Sequence, residues 1–510
     1  MLFNQEKAKK FKDKKIRFFK SNIRKNLLAT VKTEVLAGAT VALALIPESL
    51  AFAAIAKVNP MVALYTSFCM AVVISLVGGR PAMISAATGS MALLMTTLVE
   101  KHGVEYLFAA TILTGIIQFF TGVFKLEKFF NFIPQSAIAG FVNALGILIF
   151  IAQLQLFVGE PWPMYVMVAV TLAIVYLFPR ITKSIPSPLV AIVAMTVVAI
   201  AMDLDIRRVG DIGEITRNLP VFHLPQISFS VETLLIILPY SLTLALVGLL
   251  ESLLTAALVD ELTDTRSSKN REVRGQGIAN AVTGLMGGMA GCGMVGQSII
   301  NVRSLGKGRL STFVSGAFLL FSIFVLRDIV QQIPMAALVG VMIMVSFETF
   351  DWKSLKTLQN TPLPEALVMP FTVVVALLTH DLAKGALAGV ILNVLIFGWQ
   401  AAQINTTAAI DCEGFKTYHV YGQLFFGSAN HFVELFDCGK DPDKVAIHFH
   451  HSHVWDYAAA NAIAKVVSKY HRANKHVILV GLNHESHNII RNSGIPEHAV
   501  NFSQNSNQVA

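Results

Sequence analysis

The chain has 510 residues, 54% of them hydrophobic and 14% charged, with a formal net charge of +8. This excludes an ordinary soluble domain, because the charges gather at the N-terminus, in a few loops and after about residue 405, as in a polytopic membrane protein with a soluble tail. The basic excess does not call for nucleic acid, since the lysines and arginines flank apolar spans, where they set topology.

Residues 1–29 are predicted to be an uncleaved, cytoplasmic, polybasic N-terminus that touches anionic lipid, with Lys7, Lys9, Lys10, Lys12, Lys14, Lys15, Arg17, Lys20, Arg24 and Lys25. Apolar segments then follow at about 34–56, 60–78, 86–98, 106–124, 132–158, 163–179, 188–203, 236–258, 275–290, 293–302, 311–331, 335–348, 365–382 and 385–403. The segments 86–98 and 293–302 are among the shortest, too short to cross a hydrocarbon core of about 30 Å as straight helices. They are predicted to be half-helices or extended segments.

Loop charges test the count of fourteen. With the N-terminus inside, the cytoplasmic loops hold Arg80, Lys125, Lys128, Arg180, Lys183, Arg266, Lys269, Arg271, Arg274, Arg303, Lys307, Arg309, Lys353 and Lys356. The opposite loops hold fewer, which predicts both termini inside. Fourteen segments divide into seven plus seven, and an odd number places the second half upside down relative to the first, as in inverted-repeat transporters.

Two intramembrane acids mark the halves. Glu48 precedes Gly89 by 41 residues, and Glu251 precedes Cys292 by 41. An acid plus an interrupted short segment in each half points to a transporter's binding site. Burying a carboxylate in a bilayer costs several kcal/mol, so such acids face a cavity, a partner or an ion path. Glu251 and Thr255 are spaced i,i+4 and share a helix face, able to offer oxygens to a hard monovalent cation; Ser252 points differently. The alternatives are a packing acid at Glu251 and, after Pro47, a residue satisfying freed backbone groups at Glu48. Gly89, Gly291, Gly293 and Gly296 allow close backbone approach, and two facing helix N-termini there would hold an anion without a nearby Lys or Arg. Close helix packing is the competing explanation for these glycines.

From about residue 406 the pattern changes to strands at Lys416 to Phe425, Lys444 to Phe449 and His476 to Val480, with an amphipathic helix from Asp456 to His471. This predicts a small α/β module, and a disordered tail at 499–510. The run from His448 to His453 is read as solvated, with a metal site as the alternative. His380 and Asp381 are placed in a loop, with a proton-linked pair as the alternative. The cysteines Cys69, Cys292, Cys412 and Cys438 show no metal spacing and receive no function. No nucleophile–base pair, phosphate loop or cofactor motif suggests an enzyme.

Several stretches resemble the SulP (sulfate permease-like) anion transporters. They are Ile46-Pro47-Glu48-Ser49-Leu50-Ala51-Phe52-Ala53, Asn59-Pro60, Gly78-Gly79-Arg80-Pro81, and Gly248 to Thr255. Val259 to Thr263, Gly275 to Asn280, Gly287 to Ser298 and Pro334 to Gly340 extend the likeness over roughly residues 30–400. The tail, with Ser452-His453-Val454-Trp455-Asp456, is similar to a STAS domain, although Tyr457 follows Asp456 where phosphoswitching relatives carry a serine. The resemblance implies a transporter domain at 30–405 and a cytoplasmic STAS-like domain at 406–498. It further implies a seven-plus-seven inverted repeat with core and gate domains, and a homodimer. From the bicarbonate-transporting branch it implies an anion site around Ala87, Thr88, Gly89, Gly293 and Met294, and a sodium site at Glu251 and Thr255; Glu48, as an intramembrane acid, is a further candidate for cation binding or coupling. No cofactor or resident metal is expected.

The resulting expectation is a multi-pass protein of the plasma or inner membrane that moves a small inorganic anion, bicarbonate favoured, coupled to sodium by alternating access. Proton-coupled sulfate or dicarboxylate uptake is the alternative within transport. A membrane-anchored signalling scaffold acting through the STAS-like domain is the alternative from another class.

Overall fold

The computed structural model describes residues 30–126, 134–182, 186–213, 215–216, 218–228, 230–379, 381–410, 415–491 and 500–501. The polybasic segment 1–29, Lys128, Lys183, His380 and Cys412 lie outside them. The chain divides into two compact units, Met1–Gly389 and Val390–Ala510.

In the membrane part, α1 (Thr30–Ala56), α2 (Pro60–Val77) and a short strand β1 (Ser85–Ala87) lead into α3 (Gly89–His102). There follow α4 (Val104–Val123), α5 (Gln135–Leu154), α6 (Trp162–Leu177) and α7 (Ser187–Ala201). The second half repeats the plan: α8 (Val231–Thr263), α9 (Lys269–Leu285), strand β2 (Gly291–Gly293), α10 (Val295–Arg303), α11 (Arg309–Gln331), α12 (Met335–Thr349), α13 (Val368–Thr379) and α14 (Leu382–Ala401). A strand before the third and the tenth helix is the feature that makes the two halves correspond.

Each of the fourteen predicted segments coincides with a helix, yet the count of fourteen crossings is not exact. Among the described residues, nine helices are long and apolar enough to span a membrane, and Ser187–Ala201 and Leu363–Thr379 are shorter apolar helices. The shortfall has a physical cause. At about 1.5 Å per residue, α3 and α10 reach only about 21 Å and 14 Å, because each starts at a strand inside the bundle. In α9, the polar side chains Glu272, Gln276 and Asn280 are all fully buried, so its protein-facing side is not apolar.

The helices sort into two bundles. In one, α2 packs on α9 and α11, α4 on α8 and α9, and α8 on α3 and α10; in the other, α12 packs on α5, α6 and α7, and α13 on α5. The α4–α9 contact is backbone to backbone: a Cβ at Gly115 would lie 2.4 Å from the Ala281 nitrogen, and one at Gly277 would lie 2.4 Å from the Phe119 nitrogen. Small residues at such a crossing let dispersion and packing hold helices that gain nothing from the hydrophobic effect in lipid.

The C-terminal unit is a five-stranded sheet in the order β3 (Asn405–Ile410), β4 (Lys416–Leu424), β5 (Lys444–Val454), β6 (His476–Val480) and β7 (Val500–Asn501). The pair β3–β4 is antiparallel and the others are parallel. Helices α15 (Ala429–Glu434), α16 (Tyr457–Arg472) and α17 (His484–Arg491) accompany it. Asp456 caps α16 by accepting from the Ala459 N–H at 2.9 Å, and its other oxygen accepts from the Phe426 N–H at 2.7 Å. Two expectations change here. The histidine run lies wholly inside β5 and not at a strand end, because the strand continues to Val454. Val500–Asn501, in the stretch expected to be disordered, pair with Leu479 and Val480, while 502–510 lie outside the described residues.

Candidate functional site

The two interruptions of the sequence meet. Strands β1 and β2 form an antiparallel ladder with Ser85 opposite Gly293, Ala86 opposite Cys292 and Ala87 opposite Gly291. Helices α3 and α10 leave this ladder from its two ends, so the N-terminus of each begins at the ladder. Neither end has a side-chain cap from its N-cap residue, Thr88 for α3 and Met294 for α10. Uncapped N-termini present free N–H groups and about half a positive elementary charge each, the property that binds anions. Four of the five residues expected around an anion, Ala87, Thr88, Gly89 and Gly293, are buried, and Met294 is half-buried.

The matched spacing of 41 residues does not mark equivalent points: Gly89 opens α3, whereas Cys292 is the middle residue of β2. The two ends also differ in cover. A Cβ at Gly89 would meet Phe52 and Ile149 at 3.1 and 3.0 Å, while one at Gly296 would have nothing within 4 Å. Access is therefore greater at α10.

Both acids reach the site, each touching the broken helix of the opposite half. Glu48 on α1 accepts from Gln297 Nε2 on α10 at 2.6 Å. Glu251 on α8 accepts through Oε2 from Ser90 Oγ on α3 at 2.7 Å and from Cys292 Sγ at 2.7 Å. Thr255 Oγ1 lies 2.7 Å from the Glu251 carbonyl oxygen and 3.1 Å from that of Gly293. Ser252, set aside because it points differently, also reaches β2, accepting from the Gly293 N–H at 2.9 Å.

Positioning falls to residues the sequence reading assigned no role. On α9, Glu272, Gln276 and Asn280 recur every four residues and so share one face. Glu272 accepts from the Gly79 and Arg80 N–H groups at 2.7 and 2.9 Å, and Gln276 Nε2 donates to Ser85 Oγ at 2.7 Å. Asn280 grips Gly291 twice, accepting its N–H at 2.8 Å and donating to its carbonyl at 3.0 Å. Ser298 Oγ accepts the Ile84 N–H at 3.0 Å, and Ser67 Oγ accepts that of Ala87 at 3.3 Å. Polar residues at i, i+4 and i+8 in a membrane segment were the available signal. Nearby Arg80 is held by Asp260 at 2.9 Å and by Thr263 and Thr265, which ties it to the end of α8.

Paired broken helices, intramembrane acids and a duplicated plan define a multi-pass membrane transporter with two structurally corresponding halves. The sulfate permease family model matches residues 31–163 and 160–372, and the STAS domain model matches 407–508. The chain belongs to the sulfate permease family; it is an integral membrane transporter and not an enzyme. It is 51% identical over 469 residues to "Putative sulfate transporter YbaR" of Bacillus subtilis (strain 168), covering 92% of this chain and 98% of that one. It is 31% identical over 352 residues to the bicarbonate transporter BicA of Synechocystis sp., covering 63% and 62%. The solved transmembrane domain of a cyanobacterium bicarbonate transporter BicA superposes with a TM-score of 0.64 at 27% identity, over 71% of this chain and 97% of that domain.

Proposed function

We propose that this chain, an anion transporter of its family, moves bicarbonate together with sodium by alternating access. The observation that carries the reading is the ladder itself: an uncapped helix N-terminus begins at each of its two ends, with an acid 2.7 Å from a side chain of α3. Two half-charges from the helix ends offset about one negative charge, which suits a monovalent oxyanion. The anion site comprises Ala87, Thr88, Gly89, Gly293 and Met294. Sodium is a hard cation that prefers oxygen; the Glu251 carboxylate and Thr255 Oγ1, one helical turn apart, offer it oxygens, and the Gly293 carbonyl lies 3.1 Å from Thr255 Oγ1. A cation beside the anion also spares the membrane interior an uncompensated charge. Glu48 couples α1 to α10 through Gln297. The working unit is taken as a homodimer, on the family resemblance, with both termini cytoplasmic, on the loop-charge bias.

The second reading is proton-coupled sulfate or dicarboxylate uptake, of which the sulfate part is favoured by the name of the 51% identical relative. Radiolabelled bicarbonate and sulfate uptake into proteoliposomes, with a sodium gradient, a pH gradient or neither, separates them. Bicarbonate uptake that requires sodium supports the first reading; sulfate uptake driven by a pH gradient without sodium replaces it. Removal of residues 406–510 tests the scaffold alternative, since transport that persists makes the tail a modulator.

A further inference from the structure

Four side chains close a ring at the heart of the site. Ser90 Oγ and Cys292 Sγ each donate to Glu251 Oε2 at 2.7 Å, and Thr88 Oγ1 lies 3.1 Å from both Ser90 Oγ and Cys292 Sγ. Thr88 and Ser90 are 6% and 1% exposed and Cys292 is fully buried, so water does not supply their missing partners. Thr88 occupies the N-cap of α3, where a threonine hydroxyl ordinarily accepts from the helix's own N–H groups, but it makes no such bond. Its hydroxyl is given to the ring instead.

The hydrogens can be counted. With Glu251 ionised, the carboxylate is a pure acceptor, and the Ser90 and Cys292 hydrogens are both committed to it. Thr88 then holds the ring's remaining hydrogen and turns it inward, toward the oxygen of Ser90 or the sulfur of Cys292. A cation on Oε2 competes for the same lone pairs and displaces a donor. The displaced hydrogen swings to the Thr88 oxygen, and the Thr88 hydrogen is freed to point out of the ring, at the N-terminus of α3 where an anion would sit.

We propose that Ser90 and Cys292 are positioning residues that report cation occupancy of Glu251 to the anion end of the site through Thr88. No covalent bond is made or broken in this relay; hydroxyl and thiol rotors turn and exchange hydrogen-bond partners. The inference rests on the sodium–bicarbonate reading above and adds how the two ions sense each other. Coupling of this kind is reciprocal, so bicarbonate tightens sodium by the same factor as sodium tightens bicarbonate.

The test is equilibrium binding on the purified full-length protein: the bicarbonate dissociation constant with and without saturating sodium, for wild type, Ser90→Ala, Cys292→Ala, the double variant and Cys292→Ser. Wild type is expected to show a sodium effect of roughly tenfold, within the usual range of coupling between sites. Each single alanine variant reduces that ratio, the double variant brings it to about one, and Cys292→Ser, which keeps a donor, retains it. A merely structural role would weaken both ions together and leave the ratio unchanged. A folded double variant with the wild-type ratio overturns the proposal. Thr88→Val breaks the ring at its other end and keeps the test decisive if the double variant does not fold: loss of the ratio supports the relay, and its retention overturns it. A wild-type protein whose bicarbonate affinity ignores sodium instead overturns the sodium reading on which the relay rests.

Discussion

Gln297 Nε2 donates to Glu48 Oε1 at 2.6 Å, so the acid of the first half is held by the broken helix of the second. The converse contact, Ser90 to Glu251, holds the acid of the second half with the broken helix of the first. The two corresponding halves thus interlock at their acids. Gln297→Ala removes the side chain that donates to Glu48 and leaves a carboxylate to be satisfied some other way, a cost of about 1–3 kcal/mol. The expected outcome is a lower melting temperature and slower uptake, read by thermal unfolding and by proteoliposome flux. Gln297→Asn is one methylene shorter and is not expected to restore either.

Glu251→Gln keeps the size of the side chain and removes its charge. Sodium dependence of uptake is expected to vanish, and sodium-dependent uptake that survives unchanged contradicts the assignment. Thr255→Val removes a single oxygen from the same place; a loss of about 1.4 kcal/mol would raise the sodium needed for half-maximal uptake about tenfold.

Asn280→Ala leaves both the N–H and the carbonyl of buried Gly291 without their side-chain partner. A destabilisation of about 1–3 kcal/mol is expected, together with weaker anion affinity because β2 loses its anchor. Binding of bicarbonate measured beside thermal stability checks this. Unchanged values for both would remove the α9 ridge from the account.

Gly277→Ala tests the α4–α9 crossing. The added Cβ would lie 2.4 Å from the Phe119 backbone nitrogen, and backbone cannot turn aside as a flexible side chain can. Overpacking of this kind costs about 1–3 kcal/mol or more. Reduced yield of folded protein in detergent is the expected result, compared with Gly296→Ala, which meets open space.

Much of this was legible in the sequence, for reasons that identify what was not. The fourteen segments were visible because apolar runs are imposed by lipid, and β4, β6 and α16 because alternation and helical period are imposed by a half-buried surface. Glu48, Glu251 and Thr255 stood out as polar groups in greasy surroundings. Ser90 and Cys292 did not, since a small polar residue or a lone thiol in a helix bundle is ordinary until its distant partner is known. The ladder between 85–87 and 291–293 is a contact across about 200 residues, and three-residue strands carry no alternation to read. Gln276 and Asn280 had the period of a buried face, but their partners, the Ser85 hydroxyl and the Gly291 backbone, belong to other elements. Glu272 caps a loop that no local pattern connects to it.

Burial pushes the His448 imidazole below its ordinary range, and the neighbouring His419 and His450 rings, with centroids 5.0 and 5.6 Å away, add to the effect. The folded unit therefore favours the neutral ring, while the unfolded chain takes up a proton at higher pH. Stability from this residue is present above the ordinary histidine range and is lost as pH falls below it. Thermal unfolding of the full-length protein followed from about pH 7.5 to about pH 5.5 should show the C-terminal unit melting earlier as pH falls. His448→Phe, close in shape and without a proton to gain, should flatten that dependence.

The sorting of the helices into two bundles has a mechanical consequence. Strands β1 and β2, helices α3, α8, α9 and α10, and Glu251 belong to one bundle, to which Glu48 is tied through Gln297, and the cavity between α5, α8 and α14 is walled by Ala137, Ile138, Phe141, Leu250, Leu254 and Ala386. If transport proceeds by alternating access, as proposed, ions seated on the ladder would ride as passengers with their polar shell, while the walls of this cavity, where the bundles face one another, are hydrocarbon. The barrier to crossing is then one of shape, with methyl and phenyl groups repacking against their neighbours, so that turnover should respond to bilayer thickness and temperature more than to the strength of any single polar bond.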